Sequence, residues 1–286
     1  MKNILEKRTA PERAIFTVVF VLFTMLAVSI VYPFCWLFIN SLKTDFAFRQ
    51  NSFALPERII FANYYNAMAY SLNGNTIVNM FFNSLINLVG IVSLGLFFSC
   101  CTAYVLSKYN FRGREFLFNL ALIIMIVPTI GSTAVVYKMW NVLHIYDTYF
   151  SVFFMASSGF GTGFLLLYAT FKNVSWTYAE AAFIDGSSHF RVFFEIMLPQ
   201  VMPTVISILI ITSIGVWNDY YTPFMYLPTK PTIAVGLYEI QSNAVTKQEY
   251  TMFFALMLIS VLPIAILFVI MQNTIMENVV SGGIKG

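Results

Sequence analysis

Six long apolar runs, separated by shorter polar stretches, set the pattern of this chain. They lie near residues 14–40, 78–106, 116–137, 150–171, 203–226 and 252–276. A helix needs about 20 apolar residues to cross the hydrocarbon core of a bilayer, and each run is that long. With no water in that core, backbone groups must pair within the segment, so the runs are expected to be helices. They are continuous, where the strands of a membrane barrel would alternate. The first run follows a basic head of Lys2, Lys7, Arg8 and Arg13. It is longer than the apolar core of a signal peptide and has no small-residue cleavage pattern after it, so it reads as a retained span.

The predicted fold is an all-α membrane protein with six transmembrane helices. Residues 1–13 form a cytoplasmic N-terminus, 14–276 the transmembrane domain, and 277–286 a cytoplasmic tail. Basic residues set the orientation. With the N-terminus inside, Lys2, Lys7, Arg8, Arg13, Lys108, Arg112, Arg114, Lys172, Arg191 and Lys285 are cytoplasmic. Lys43, Arg49, Arg58, Lys138, Lys230 and Lys247 are outside. The bias is sharpest in the short 107–114 loop, which the positive-inside rule weights most.

The cytoplasmic stretch 172–199 is long enough to carry structure of its own. Thr177-Tyr178-Ala179-Glu180 has capping-box spacing, which predicts a helix start at Thr177. Ala179, Ala181 and Ala182 favour helix. Asp185-Gly186 signals a turn, because glycine tolerates the positive φ that ends a helix. A second helix is expected from Ser187 or Ser188. Its Phe190, Phe193, Phe194 and Met197 fall at i, i+3, i+4 and i+7, one apolar face, with His189, Arg191 and Glu195 largely off it. Pro199 and Pro203 then interrupt the pattern. Two short helices meeting at a glycine suit either a groove on a partner or the lipid headgroups.

Composition narrows the class. The chain is 59% hydrophobic and 10% charged, with mean hydropathy +0.76. Soluble domains carry about 25% charged residues. The net charge of +3 comes from topology signals and forms no nucleic-acid stripe. Cys35, Cys100 and Cys101 sit in apolar runs without metal-ligand spacing and read as packing residues. A Walker A loop is lacking: Gly282-Gly283-Ile284-Lys285-Gly286 has the wrong spacing. His144 and His189 belong to no readable catalytic constellation. The chain reads as non-enzymatic, binding no cofactor of its own.

Two groups are candidates for a solute path. Asn79, Asn83 and Asn87 recur every four residues, so they share one face of the second span. They either line a path or hydrogen-bond neighbouring helices. Trp217, Asn218, Asp219, Tyr220 and Tyr221 cluster at the outer end of the fifth span, as a sugar-binding surface or an interfacial aromatic belt. Gly159 and Gly163 make a G-x-x-x-G that reads as close helix packing. Pro128 and Pro263 read as kinks, hinged or fixed.

The loop also carries a resemblance. Glu180-Ala181-Ala182, three residues, Gly186, nine residues, Ile196, one residue, Leu198-Pro199 matches the EAA motif of bacterial ABC importer permeases. The chain is similar to the carbohydrate-importer branch, in particular to the second membrane subunit of the maltose system. Weaker matches fall in order: Ser41-Leu42-Lys43, Asn63-Tyr64, Asn83-Ser84, Ala103-Tyr104, Phe111-Arg112-Gly113, Pro128, Trp217-Asn218 and the tail Ser281 to Gly286. The resemblance implies a multi-pass subunit of the bacterial inner membrane, paired with a second, different permease. It implies two ATPase subunits that hold ATP and magnesium, and an extracytoplasmic binding protein. Glu180, Ala181, Ala182, Asp185 and Gly186 would dock in the ATPase as a coupling helix between spans four and five, with Ile196, Leu198 and Pro199 bracing the loop. The alternatives are the same machine for a non-carbohydrate polar solute, or an ion-coupled secondary transporter. The latter generally needs mid-span carboxylates, and Asp219, toward an outer end, is the nearest candidate.

Overall fold

The computed structural model describes residues 10–127, 131–247 and 249–283. Lys2, Lys7, Arg8, Pro128 and the end of the tail, Ile284 to Gly286, lie outside them. The chain opens with α1 (Ala10–Ser41), α2 (Asp45–Gln50) and α3 (Ala62–Ala69). A small hairpin follows, β1 (Ser71–Leu72) against β2 (Asn75–Thr76), with Ser71 opposite Thr76. Asn73 and Gly74 close it at φ 51° and 79°, the left-handed pair a two-residue hairpin turn requires. Then come α4 (Ile77–Lys108), α5 (Arg114–Ile126), α6 (Ser132–Val142), α7 (Tyr149–Ala156), α8 (Thr162–Asn173) and α9 (Thr177–Ile184). Next, α10 (His189–Arg191) runs through a π-helical turn, Val192–Met197, into α11 (Leu198–Gln200). The chain finishes with α12 (Met202–Asn218), α13 (Tyr221–Tyr226), α14 (Ile233–Lys247) and α15 (Tyr250–Gly283).

Among the described residues, three helices are long and apolar enough to cross a membrane: Pro11–Ser41, Ile77–Lys108 and Tyr250–Ile270. A fourth joins them if His189–Gln200 and Met202–Asn218, bent by 77°, act as one. The first, second and sixth apolar runs are thus single helices, and Pro263 lies inside an unbroken one. The other three runs are broken, against expectation. The third stops at Ile126 because Val127 precedes a proline and sits extended, at φ −68° and ψ 118°. The fourth is split between α7 and α8. The fifth ends at Asn218, where Asp219 turns extended at ψ 108°. An apolar run of sufficient length sets a limit on a span but does not guarantee an uninterrupted helix.

The chain forms two compact units: Met1–Ala69 with Ile240–Ile259, and Tyr70–Glu239 with Ser260–Gly286. In the first, α1 is apolar on every side and almost wholly exposed, with Phe20 at 70% and Phe23 at 67%. A helix apolar all round belongs in a protein core or in lipid. At its end the chain is knotted by polar groups. The Asn63 amide donates to Ser41 O and Lys43 O, Ile60 N donates to Leu42 O, and the Ser41 and Tyr64 hydroxyls share a bond of 2.7 Å. Lys43 is buried, with Nζ donating to Asn51 O at 3.1 Å. Asp45 Oδ1 accepts from both Thr251 N and its hydroxyl.

In the second unit α4 is the spine, flanked by α7, α8 and α12. Thr76 caps its start, accepting from Asn79 N. Gly159 does not belong to a helical G-x-x-x-G. It lies in the α7–α8 break at φ 70°, and a Cβ there would sit 2.6 Å from Thr102 Oγ1 and 3.3 Å from Phe98 O. The close approach is real, but it brings a loop, not a helix, onto α4. The core lies where the C-terminal half of α4 meets α8, α9, the π turn and α12. It is built on Tyr104, Phe164, Leu167, Phe171, Val192 and Met197.

Candidate functional site

The 172–199 loop folds as two short helical arms. α9 begins at Thr177 as its sequence predicts, but by a different device. The N-cap is Trp176 without a side-chain bond, and Ser175 Oγ accepts from Thr177 N at 3.3 Å. The arm ends in a glycine cap. Gly186 has φ 81°, its N–H donates to Phe183 O at 3.0 Å, and Ser187 N donates to Ala182 O at 2.9 Å. These are the two bonds of a Schellman motif, and a left-handed residue is what closes it. Ser188 then caps the second arm, accepting from Arg191 N at 3.4 Å.

The second arm is not the single apolar face its spacing predicts. The π turn inserts an extra residue per turn and shifts the phase. Val192, Phe193 and Met197 are buried, whereas Phe190 is 79% exposed and Phe194 points outward at 47%. Arg191 pairs with Glu195 at 2.8 Å on the open side. The Glu195 carboxylate raises the Arg191 pKa, though an exposed pair of this kind adds little stability.

The motif residues divide by face. Ala182 is buried, and Ile196 and Leu198 pack against the same core. Glu180, Ala181, Asp185, Gly186 and Pro199 are exposed. With them on the open face stand Tyr178 (57% exposed) and Ile184 (86%). The loop thus has an anchored side and a side that offers carboxylates beside bare apolar groups.

Two contacts that sequence reasoning did not foresee tie this loop to the end of α4. Lys108 Nζ donates to Val174 O, and Tyr109 OH lies 2.8 Å from His189 Nδ1. No spacing rule joins positions so far apart in the chain.

The architecture can be compared with known proteins. The solved structure of a bacterial ABC transporter that imports the acidic polysaccharide alginate superposes with TM-score 0.77 at 22% identity. It covers 93% of this chain and 98% of its own, so the two share a fold. Residues 91–276 match the family of binding-protein-dependent transport system inner membrane components. The chain belongs to that family. As an inner membrane component it is membrane-embedded, and its relatives are permease proteins. The arabinooligosaccharides transport system permease protein AraQ of Bacillus subtilis (strain 168) is 30% identical over 98% of this chain and 99% of its own length. The maltodextrin transport system permease protein MalD of Streptococcus pneumoniae is 29% identical over 91% and 92%. The probable starch degradation products transport system permease protein AmyC of Thermoanaerobacterium thermosulfurigenes is 26% identical over 89% and 92%.

In this inner membrane component the solute-path candidates do not converge on one site. Asn79 is exposed. Asn83 is half-buried, donating to Pro231 O at 3.1 Å and accepting from Tyr149 OH at 2.7 Å. Asn87 is buried, its side-chain oxygen without a partner among the described residues. Trp217 is turned inward at 7% exposure, its Nε1 donating to Ser260 O at 3.1 Å, with Phe81 edge-on at 6.0 Å. Asn218 bonds back to Ile214 O. Asp219 Oδ1 accepts from Thr222 N and so starts α13. Tyr220 stacks on Tyr238 with centroids 4.6 Å apart, both rings partly open. Sequence reasoning also missed the clamp on the 227–233 segment, where Asp147 accepts from Thr229 N and Oγ1. Ser84 Oγ accepts from Ile233 N at 2.9 Å in the same region.

Proposed function

We propose that this chain is one of two membrane subunits of an ATP-driven importer for oligosaccharides delivered by an extracytoplasmic binding protein. Six crossings place both termini in the cytoplasm, with α1, α4 and α15 as single helices. The other crossings are α5 with α6, α7 with α8, and α12 with α13, the short helix after it. Broken helices are tolerated at membrane depth where they are covered by protein or line a cavity, and transporters use them there. The 172–199 loop then lies in the cytoplasm.

The observation that carries the reading is the two-faced loop from Glu180 to Pro199. One side is cemented into the core around Tyr104, and the other presents Glu180, Ile184, Asp185 and Phe190 at a rigid glycine turn. A cytoplasmic element so built is a lever for a partner that moves. That partner is the ATPase pair, which holds the ATP and magnesium. Its closure pushes the turn, and the path changes from inward- to outward-facing. The carbohydrate assignment draws on the sugar permeases among the relatives. Of the path candidates we assign the exposed Asn79, Asn218 and Tyr220 to the solute side. Asn83, Asn87, Trp217 and Asp219 hold its walls.

Affinity purification from native membranes tests the assembly. A different six-helix permease, an ATPase and a binding protein are expected to co-purify. Reconstituted with them, the chain should take up labelled arabino- or malto-oligosaccharides only when ATP is supplied. Recovery of the chain alone, in detergent that keeps a known importer intact, would overturn the proposal.

A further inference from the structure

We propose that the hydrogen bond between Tyr109 and His189 is the strut that delivers movement of the α9–α10 turn to α4. This rests on the reading of that turn as the ATPase-docking element. Tyr109 follows the last residue of α4, and His189 is the first residue of α10, just beyond the Gly186 cap. Their 2.8 Å bond joins the tyrosine hydroxyl to Nδ1, and the tautomer of His189 sets which of the two donates.

Both partners are held. Tyr109 is wedged edge-on between Tyr104 at 5.5 Å and Trp176 at 5.6 Å, and His189 lies 4.8 Å from the Phe183 ring of α9. A turn that carries Phe183 therefore carries His189 with it. Neighbouring Lys108 grips the other end of the loop at Val174 O, so the last residue of α4 and the one after it hold both the entry and the middle of the 172–199 segment.

Packing alone does not close this junction. A cavity of about 550 Å³ opens beside the pair, walled by Cys101, Val105, Phe111 and Phe190. Apolar surfaces on such a flank slide past one another, as packed elements do in shear motions. A hydrogen bond across it sets the register. Tyr109 and His189 are thus positioning residues for transport, touching neither solute nor nucleotide.

The test uses the whole complex in lipid vesicles with its binding protein, and reads the ATP hydrolysed per solute carried. Tyr109→Phe removes the hydroxyl and His189→Leu the ring nitrogen. His189→Asn returns an amide, able to donate or accept, near the Nδ1 position. The first two are expected to raise the ratio roughly fivefold or more, the lower range of coupling effects. The double variant should be no worse than either single one, and His189→Asn should stay near wild type. A wild-type ratio in Tyr109→Phe, or additive losses in the double variant, overturns the strut while leaving the docking loop in place. Uptake by the wild-type complex that ignores ATP overturns both. Should Tyr109→Phe fail to assemble, the contrast between His189→Leu and His189→Asn decides: equal ratios refute the strut.

Discussion

The side-chain amide of Asn63 donates to the main-chain oxygens of both Ser41 and Lys43, each at 2.7 Å. One buried side chain thereby satisfies the carbonyl of the last residue of α1 and one just past it, where helical bonding has run out. Ser41-Leu42-Lys43 and Asn63-Tyr64 are separate, individually weak matches in the sequence. In the folded chain they are two halves of one fastening, which the Ser41–Tyr64 hydroxyl bond completes.

Replacing Asn63 with leucine leaves those carbonyls buried and unpaired. A buried polar group without a partner costs about 1–3 kcal/mol. Asn63→Leu is expected to lower the thermal midpoint of the purified protein and expose the 41–64 segment to protease. Asn63→Asp, which turns a carboxylate toward two carbonyl oxygens, should be worse than leucine. Limited proteolysis with mass spectrometry of the fragments reads both.

Gly186 combines φ 81° with a donated N–H. Proline can supply neither, since its ring fixes φ near −65°. Gly186→Pro is expected to insert at wild-type level and lose coupling of ATP hydrolysis to uptake. Gly186→Asn, whose side chain tolerates the left-handed region, should retain most transport. Normal uptake by the proline variant at normal protein level would contradict the assignment of this turn.

Trp217 is buried and bonded to Ser260 O, and on our proposal it holds the wall of the path. Trp217→Ala opens a large cavity and removes the bond to Ser260, a loss of about 3–5 kcal/mol on the scale of buried aromatic truncations. Trp217→Phe keeps most of the volume and forfeits one hydrogen bond, about 1 kcal/mol. Uptake should therefore fall in step with melting temperature in both variants. A drop in solute affinity in Trp217→Phe with unchanged melting would return this residue to the solute path.

Ile184 and Phe190 project from the open face of the 172–199 loop at 86% and 79% exposure. Neither supports the core, so Ile184→Asp and Phe190→Asp are expected to leave unfolding stability within about 0.5 kcal/mol of wild type, as surface changes do. Both should sharply weaken ATPase retention in a pull-down. Retention at wild-type level would place the docking surface elsewhere.

Much of this protein can be read without coordinates. Apolar runs of span length exclude a soluble fold, because burying so little charge and so much hydrocarbon suits only lipid. The loop from Glu180 to Pro199 is legible because its determinants are local. A left-handed glycine, a serine cap and a proline act within a few residues of themselves. Three things are not local, and only the tertiary structure decides them. The first is where apolar runs break: the 150–171 run looks continuous, yet it parts at Gly159, where the chain comes hard against Thr102 and Phe98 of α4. The second is direction. In a helix that is apolar on all sides, hydropathy cannot say which face meets protein, so Trp217 reads as part of a sugar-binding surface or an interfacial belt, and the structure buries it. The third is long-range polar pairing. Tyr109 with His189, and Asn63 with Ser41 and Lys43, are joined by the path of the chain through space, and no periodicity along the sequence records that path.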